Sequence, residues 1–483
     1  MAIVDIEYLI REYTRAIRIK SAAVFIGAGL SMPAGFVSWK QLLSKAASDL
    51  GLDVEKEQYD LIGLAQYYNN RHRRGALNQL LTEEFTKLRA PTRNHQLLSQ
   101  LPLDTYWTTN YDSLIEDSLR AERKITDVKI TTKNLAVTVP HRDAVVYKMH
   151  GDIHSLSDAI ITRDDYDRFS TSRKLYTEIL SGDLVSKTFL FLGYSFNDPD
   201  TKNILSIVSQ SLNEDVRPHF CIMRKCCRLP SMTDADFAYE EAKQNLQIED
   251  LHRFSINVAL IDDYPEITNI LEKIKSEILK DTIFIAGSAA EYGTNFSKSD
   301  AELLMHKLSY KLVGNEYKII SGFGLGVGSF VINGVLDYSD SVTKGRNLST
   351  LTLRPFPQSA SGGKDIQELW REYRYDILSE AGIAIFLFGN KQDNDKIINA
   401  DGLIKEFEIA HELGVKIIPI GMSGYVAEII LDNVLASFNE FYEDESIKDA
   451  LIYLNKRNNS DGTVKEIDSI IEVIIELANK IRG

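Results

Sequence analysis

Cysteine is scarce in this chain: Cys221, Cys226 and Cys227 are the three thiols among 483 residues. Three thiols cannot build a disulfide framework, so the expected compartment is the reducing cytoplasm. They cannot form a four-cysteine zinc module either, and the adjacent pair has the wrong spacing for a metal site, so neither zinc nor another metal is expected. Positive charge is also in deficit. The 55 Lys and Arg face 69 Asp and Glu, a net charge of −14. A field of that sign repels polyanions and argues against nucleic-acid binding, but it leaves room for one nucleotide in a local positive pocket. No secretory signal is visible. The one long uncharged stretch, Ser21 to Trp39, carries Gly27, Gly29, Gly35 and Pro33. A lipid-facing helix avoids such breakers, whereas a strand running into a glycine loop uses them, so no membrane association is expected. A Walker loop is missing too. Gly363-Lys364 is followed by Asp365 and has Gln358 where the first glycine belongs, which argues against a P-loop NTPase.

What is present has ordinary globular composition, 44% apolar and 26% charged, with a length fit for two to four folding units. Short apolar runs recur at Ala22–Ile26, Thr105–Thr108, Ala144–Met149, Thr188–Leu192, His219–Met223 and Asn257–Ile261. Helical patterns separate most of them, beginning with residues 3–19, where Ile3, Ile6, Leu9, Ile10, Tyr13 and Ile17 share a face. After a helical stretch Pro265–Leu279 the pattern restarts. Strands are expected at Thr282–Ala286, Tyr317–Ile320, Leu348–Leu353, Gly382–Phe388 and Val415–Ile420, and a last amphipathic helix at Ile467–Ile481. The expected fold is α/β: two domains, 1–279 and 280–483, each a mostly parallel sheet flanked by helices. The net charge is −4 over residues 1–280 and −10 over 281–483.

Polar motifs sit at the carboxyl ends of successive strands, the edge where open α/β sheets bind ligands. They are Gly27-Ala28-Gly29-Leu30-Ser31, Thr108-Thr109-Asn110-Tyr111-Asp112, His150-Gly151-Asp152 and Gly193-Tyr194-Ser195-Phe196-Asn197-Asp198. Closely spaced glycines let backbone N–H groups approach a pyrophosphate, and a helix start adds a favourable dipole. The dehydrogenase fingerprint needs a third glycine where Met32 stands, which weakens a hydride-transfer reading. Asn110 and His150 put a carboxamide and an imidazole at that edge. A carboxamide can position ribose hydroxyls or a water, and a neutral imidazole can take the water's proton.

The order of these four motifs resembles the sirtuin fold. The resemblance implies NAD held by Gly27, Ala28, Gly29 and Ser31, with Asp112, Gly193 and Ser195 also lining the site, Asn110 facing the nicotinamide ribose and His150 acting as base. Deacylating sirtuins carry a zinc ribbon of paired cysteines and a Pro-Asp-Phe-Arg segment. Here the ribbon cannot be built, and Gly35 leads into Phe36-Val37-Ser38-Trp39. Glycosidic cleavage needs only the NAD site, so it survives both losses better than protein deacylation does.

In the second half, Ser321-Gly322-Phe323-Gly324-Leu325-Gly326-Val327-Gly328 follows a strand, and Gly287-Ser288 ends another. Alternate glycines fit a backbone wrapped round a phosphate. Arg371 and Arg374 stand at i, i+3 on one helix, while Lys391 follows Phe388-Gly389-Asn390 and Glu406 lies early in the helix after Gly402. This half resembles the SLOG superfamily of nucleotide-binding domains. The Pro-Gly-Gly-x-Gly-Thr loop of its enzymatic members is absent, which favours a sensor over a second hydrolase. The two halves together resemble the effectors of the bacterial Thoeris anti-phage system. That likeness implies a homotetrameric NAD hydrolase that depletes cellular NAD once a cyclic ADP-ribose isomer, made by a partner TIR protein, binds the SLOG domain. Activator contacts then fall on Gly287, Ser288, Gly324, Leu325, Phe356, Arg371, Arg374, Lys391, Gly402 and Glu406. An NAD-dependent deacylase and a non-catalytic nucleotide sensor are the alternatives.

Overall fold

The computed structural model describes residues 2–57, 60–196, 199–212, 217–230, 232–342, 350–357, 359, 365–458 and 462–483. Its contacts divide the chain into two compact units, Met1–Lys275 and Ser276–Gly483. Among the described residues no helix is long and apolar enough to cross a membrane.

The first unit is built on eight strands: β1 (Ile3–Val4), β2 (Ala22–Ile26), β3 (Thr105–Thr108), β4 (Thr126–Lys129), β5 (Ala144–Lys148), β6 (Thr188–Leu192), β7 (His219–Arg224) and β8 (Ile256–Ile261). Their order is β1-β8-β7-β6-β2-β3-β5-β4, and every pairing is parallel. β2 and β6 are buried at every position. That continuous burial is why they read as unbroken apolar runs rather than alternating ones. The chain moves from β2 to one side of the sheet and returns to its other side at β6, so the point where strand order reverses lies at β2. Crevices of this kind are where doubly wound sheets take ligands. The first helix, Ile6–Arg18, starts where Asp5 caps it by accepting from Tyr8 N at 2.6 Å. It is fastened to the sheet by the buried Tyr13 hydroxyl, which donates to Ala23 O at 2.8 Å. The helices Trp39–Leu50 and Leu61–Phe85 form a separate apolar cluster that includes Tyr111, Ala159 and Ile161 from the loops after β3 and β5.

The second unit has a five-stranded parallel sheet ordered β11-β10-β9-β12-β15. Its strands are β9 (Thr282–Ser288), β10 (Lys318–Ser321), β11 (Leu351–Leu353), β12 (Ile383–Phe388) and β15 (Lys416–Pro419). β13 (Asn390–Asp393) and β14 (Lys396–Asn399) form an antiparallel hairpin outside that sheet. The last helix, Ile467–Arg482, buries Ile470, Ile471, Ile474, Leu477, Ala478 and Ile481 in the core, the stripe its 3.6-residue period requires. The α/β expectation holds.

Three elements went unread. β1 is two residues long, and the helix expected from residue 3 begins at Ile6. The hairpin is polar. In β4 the two buried positions are Asp127 and Lys129, an internal ion pair at 2.8 Å that hydropathy cannot reveal. Of the strand expected over Leu348–Leu353, Leu348 and Ser349 lie outside the described residues, and the observed strand starts at Leu351.

Candidate functional site

In the first unit Thr108 and Lys148, the last residues of β3 and β5, are register partners. Asn110 and His150 each follow two residues later, so adjacent strands about 4.8 Å apart deliver both to the same sheet edge. Both are buried, with 8% and 5% exposure. Asn110 is fixed from three directions. Its backbone N–H donates to Thr108 Oγ1 at 2.9 Å, and its Nδ2 donates to Gly27 O and to Ser31 Oγ, each at 3.1 Å. Its Oδ1 is buried and accepts no hydrogen bond from the described residues. A buried acceptor without a donor is costly, and here it is available to a hydroxyl of a bound molecule. The His150 ring is flanked edge-on by Tyr166, 5.6 Å between centroids, and by Phe169 at 6.1 Å. Its carbonyl accepts from Ile160 N at 2.9 Å.

The glycine loop answers to a different cause from the one expected. Gly27 N donates to Leu192 O and Gly29 N to Gly193 O, each at 2.9 Å, so those two N–H groups face the neighbouring loop and are not free for a phosphate. A Cβ on Gly27 would collide with Gly193 O, one on Gly29 would lie 2.9 Å from Gly193 Cα, and one on Gly193 would strike Leu30 N. Gly193 is also left-handed, at φ +62°. These glycines let the loops after β2 and β6 touch along their backbones. Ala28 opens the four-residue helix Ala28–Ser31, and Ser31 is buried beside Asn110. Ser195 is exposed, and its carbonyl accepts weakly from Gln247 at 3.4 Å. Asn197 and Asp198 of that motif lie outside the described residues.

Asp112 has a structural occupation. Its Oδ1 accepts from Leu114 N at 3.1 Å and so holds the start of the helix Leu114–Ala121. Beside it, burial pulls the His95 imidazole down to about 4, against the opposing charge of Asp112. The sequence reading passed over Lys148. Its ammonium is fully buried, 3.0 Å from Glu116 and paired with Asp152. It donates to the carbonyls of Asp112 at 2.5 Å and Tyr111 at 3.3 Å. Burial alone would lower its pKa, but Glu116 and Asp152 outweigh that and hold the lysine charged. A lysine inside the otherwise apolar run Ala144–Met149 was the available signal.

In the second unit the glycine loops again meet backbone to backbone. A Cβ on Gly324 would collide with Gly287 O, and one on Gly326 with Ala289 O. Ala289 N donates to Leu325 O at 2.7 Å. Leu325 itself is 72% exposed. Asn390, which the sequence reading named but gave no role, locks this loop. Its Oδ1 accepts from Ala290 N and Glu291 N, its Nδ2 donates to Glu291 O, and its carbonyl accepts from Ser288 Oγ at 3.1 Å.

Arg374, Glu406, Phe356 and Gly402 converge. The buried guanidinium lies with Nε 3.7 Å from Glu406 Oε1 and Cζ 5.0 Å from the Phe356 ring centre, while a Cβ on Gly402 would be 3.1 Å from its Nη2. Arg374 Nε finds no hydrogen-bond partner among the described residues. Burial pushes the Glu406 carboxyl up to about 7, with Arg374 pulling the other way. Lys391 pairs with Asp401 at the surface. Arg371 is exposed and lies over Tyr375 at 5.8 Å, so despite its i, i+3 spacing it stands apart from the buried cluster of Arg374.

Comparison with known proteins covers both units. A model described as the Sir2- and TIR-associating SLOG family matches residues 266–481, and a SIR2-like domain model matches residues 104–248. The chain is 44% identical over 478 residues to the NAD(+) hydrolase ThsA of Bacillus cereus (strain MSX-D12), covering 98% of this chain and 99% of that protein. It is 46% identical over 447 residues to the protein of that name from Cytobacillus dafuensis, covering 91% and 90%. It is 43% identical over 487 residues to that from Enterococcus faecium, covering 99% of each.

Proposed function

The chain belongs to the family of NAD(+) hydrolases named ThsA, and from that premise we propose that it cleaves NAD to nicotinamide and ADP-ribose with Asn110 and His150. The observation that carries the assignment is the state of Asn110. Both protons of its amide are spent on Gly27 O and Ser31 Oγ, which leaves Oδ1 as a buried acceptor at the sheet edge it shares with His150. A ribose hydroxyl or the attacking water is the donor such an atom lacks. Water adds to the ribose carbon as the bond to the pyridinium nitrogen breaks. The imidazole of His150 takes the water's proton, and nicotinamide leaves neutral because its ring nitrogen was already cationic. NAD is the substrate, and the chemistry asks for no metal.

The second unit is read as the sensor. The Arg374–Glu406–Phe356 cluster, with Gly402 beside Arg374, supplies a buried cation and an aromatic face, and Gly287, Ser288, Gly324, Leu325 and Lys391 are read as further contacts. That combination suits a cyclic ADP-ribose isomer made by a partner TIR protein. Arg371 is read as an outlying contact. In this reading the enzyme is a cytoplasmic homotetramer that strips infected cells of NAD. Moving a resting enzyme from 1:99 to 99:1 active requires the activator to favour the active state by about 5.5 kcal/mol.

The test is chromatography of NAD incubated with the purified protein and each cyclic ADP-ribose isomer in turn. Release of nicotinamide and ADP-ribose that is lost in Asn110→Ala and His150→Ala supports the reading. Full turnover in both variants removes the assignment. NAD bound without product points to a sensor, and NAD-dependent turnover of an acetylated peptide points to a deacylase.

A further inference from the structure

We propose that Lys148 is a positioning residue for NAD cleavage, its buried ammonium holding the loop that carries Asn110 against the loop that carries His150; this rests on the hydrolase reading above. Lys148 ends β5, two residues before His150, and has no exposed surface. Its four partners come from both sides of the proposed reaction centre. The carbonyls of Tyr111 and Asp112 belong to the loop just past Asn110, and Glu116 belongs to the helix that follows it. Asp152 lies two residues past His150 and holds that turn as well, since its Oδ1 accepts from His154 N at 2.8 Å.

All four partners are protein groups, so Lys148 acts on the substrate only through the residues it holds. A buried ammonium is an expensive way to pack a strand end, where a methionine of similar length would lie without desolvating a charge. What the charge supplies and a methionine cannot is direction. Acceptors from two loops converge on one nitrogen, so neither loop shifts without breaking a bond to it.

The experiment compares the parent with Lys148→Met, Lys148→Arg and Asp152→Asn, reading kcat, KM for NAD and melting temperature at saturating activator. Displacing catalytic groups by about 1 Å costs on the order of 100-fold in rate. Lys148→Met is therefore expected to lose kcat by about that factor with KM within about threefold. Lys148→Arg keeps a cation and recovers part of the loss. Asp152→Asn keeps the shape and one of the two accepting oxygens, removes the negative charge that faces Lys148, and is expected to lose kcat by roughly 10-fold, so it carries the test where Lys148→Met fails to fold. Unchanged kcat in Asp152→Asn and Lys148→Arg beside a lowered melting temperature would overturn the proposal, as would a rise in KM alone. A parent that releases no nicotinamide sinks the hydrolase reading instead. In that event a crystal structure of Asp152→Asn decides the positioning: displaced side chains at Asn110 and His150 uphold it, unmoved ones overturn it.

Discussion

Glu406 offers a stability measurement that needs no knowledge of the activator. Its carboxyl is buried beside Arg374, and burial raises it from the ordinary 4.5 to about 7. That rise is worth roughly 3 kcal/mol at about 1.4 kcal/mol per pH unit. Between pH 4.5 and 7 the folded protein holds a proton on Glu406 that the unfolded chain has released. The associated stability is thus fully present below pH 4.5, is lost as pH rises through 7, and is constant above. Glu406→Gln removes the titration and keeps the shape. Thermal unfolding of parent and variant across pH 4.5 to 8 should show the parent losing ground steadily. The second unit has the size range in which 1 kcal/mol moves the melting temperature by about 2–4 °C, so the two should separate by roughly 6–12 °C over that window. Melting curves that stay parallel across the window would refute the burial argument. A parent that gains on the variant as pH rises would mean that Arg374 governs the pair and holds Glu406 charged.

In an activation titration, Arg374→Ala should raise the activator concentration needed for half-maximal NAD cleavage more than Lys391→Ala does. Arg374 is buried with a donor that no described residue uses, whereas Lys391 is exposed and already paired. Asn110→Ala should abolish nicotinamide release and cost about 1–2 kcal/mol in denaturant unfolding, since it gives up two buried hydrogen bonds; an active variant would remove Asn110 from the chemistry. Gly193→Ala places a methyl against Leu30 N at a left-handed position and should destabilise by more than about 1 kcal/mol, whereas Gly51→Ala meets no atom of the described residues within 4 Å and bears only the cost of its backbone angle. Equal melting temperatures for those two variants would contradict the loop contact.

Much of the fold was legible because burial on both sheet faces writes itself as apolar runs. Thr105–Thr108 and Thr188–Leu192 are strands with the bounds read from sequence, and Pro265–Leu279 is a helix with those bounds. Beyond the two-residue β1 and the polar hairpin, what escaped was buried charge. β4 hides Asp127 and Lys129, and β5 hides Lys148, because an internal ion pair looks like surface in a one-dimensional pattern. Of the candidate site residues, Asn110 and His150 stand at one sheet edge because they follow registered strands. The spacing of the glycines does not reveal that Gly27, Gly29 and Gly193 meet backbone to backbone. Spacing shows that backbone must come close to something; only coordinates show that the something is another loop.

That contact has a consequence for anyone altering the enzyme. The segments at Gly27–Gly29 and Gly193 interlock like two halves of a clasp. Grafting one of them from a distant cousin without the other imports half a fastening, so chimeras should be cut to carry both or neither.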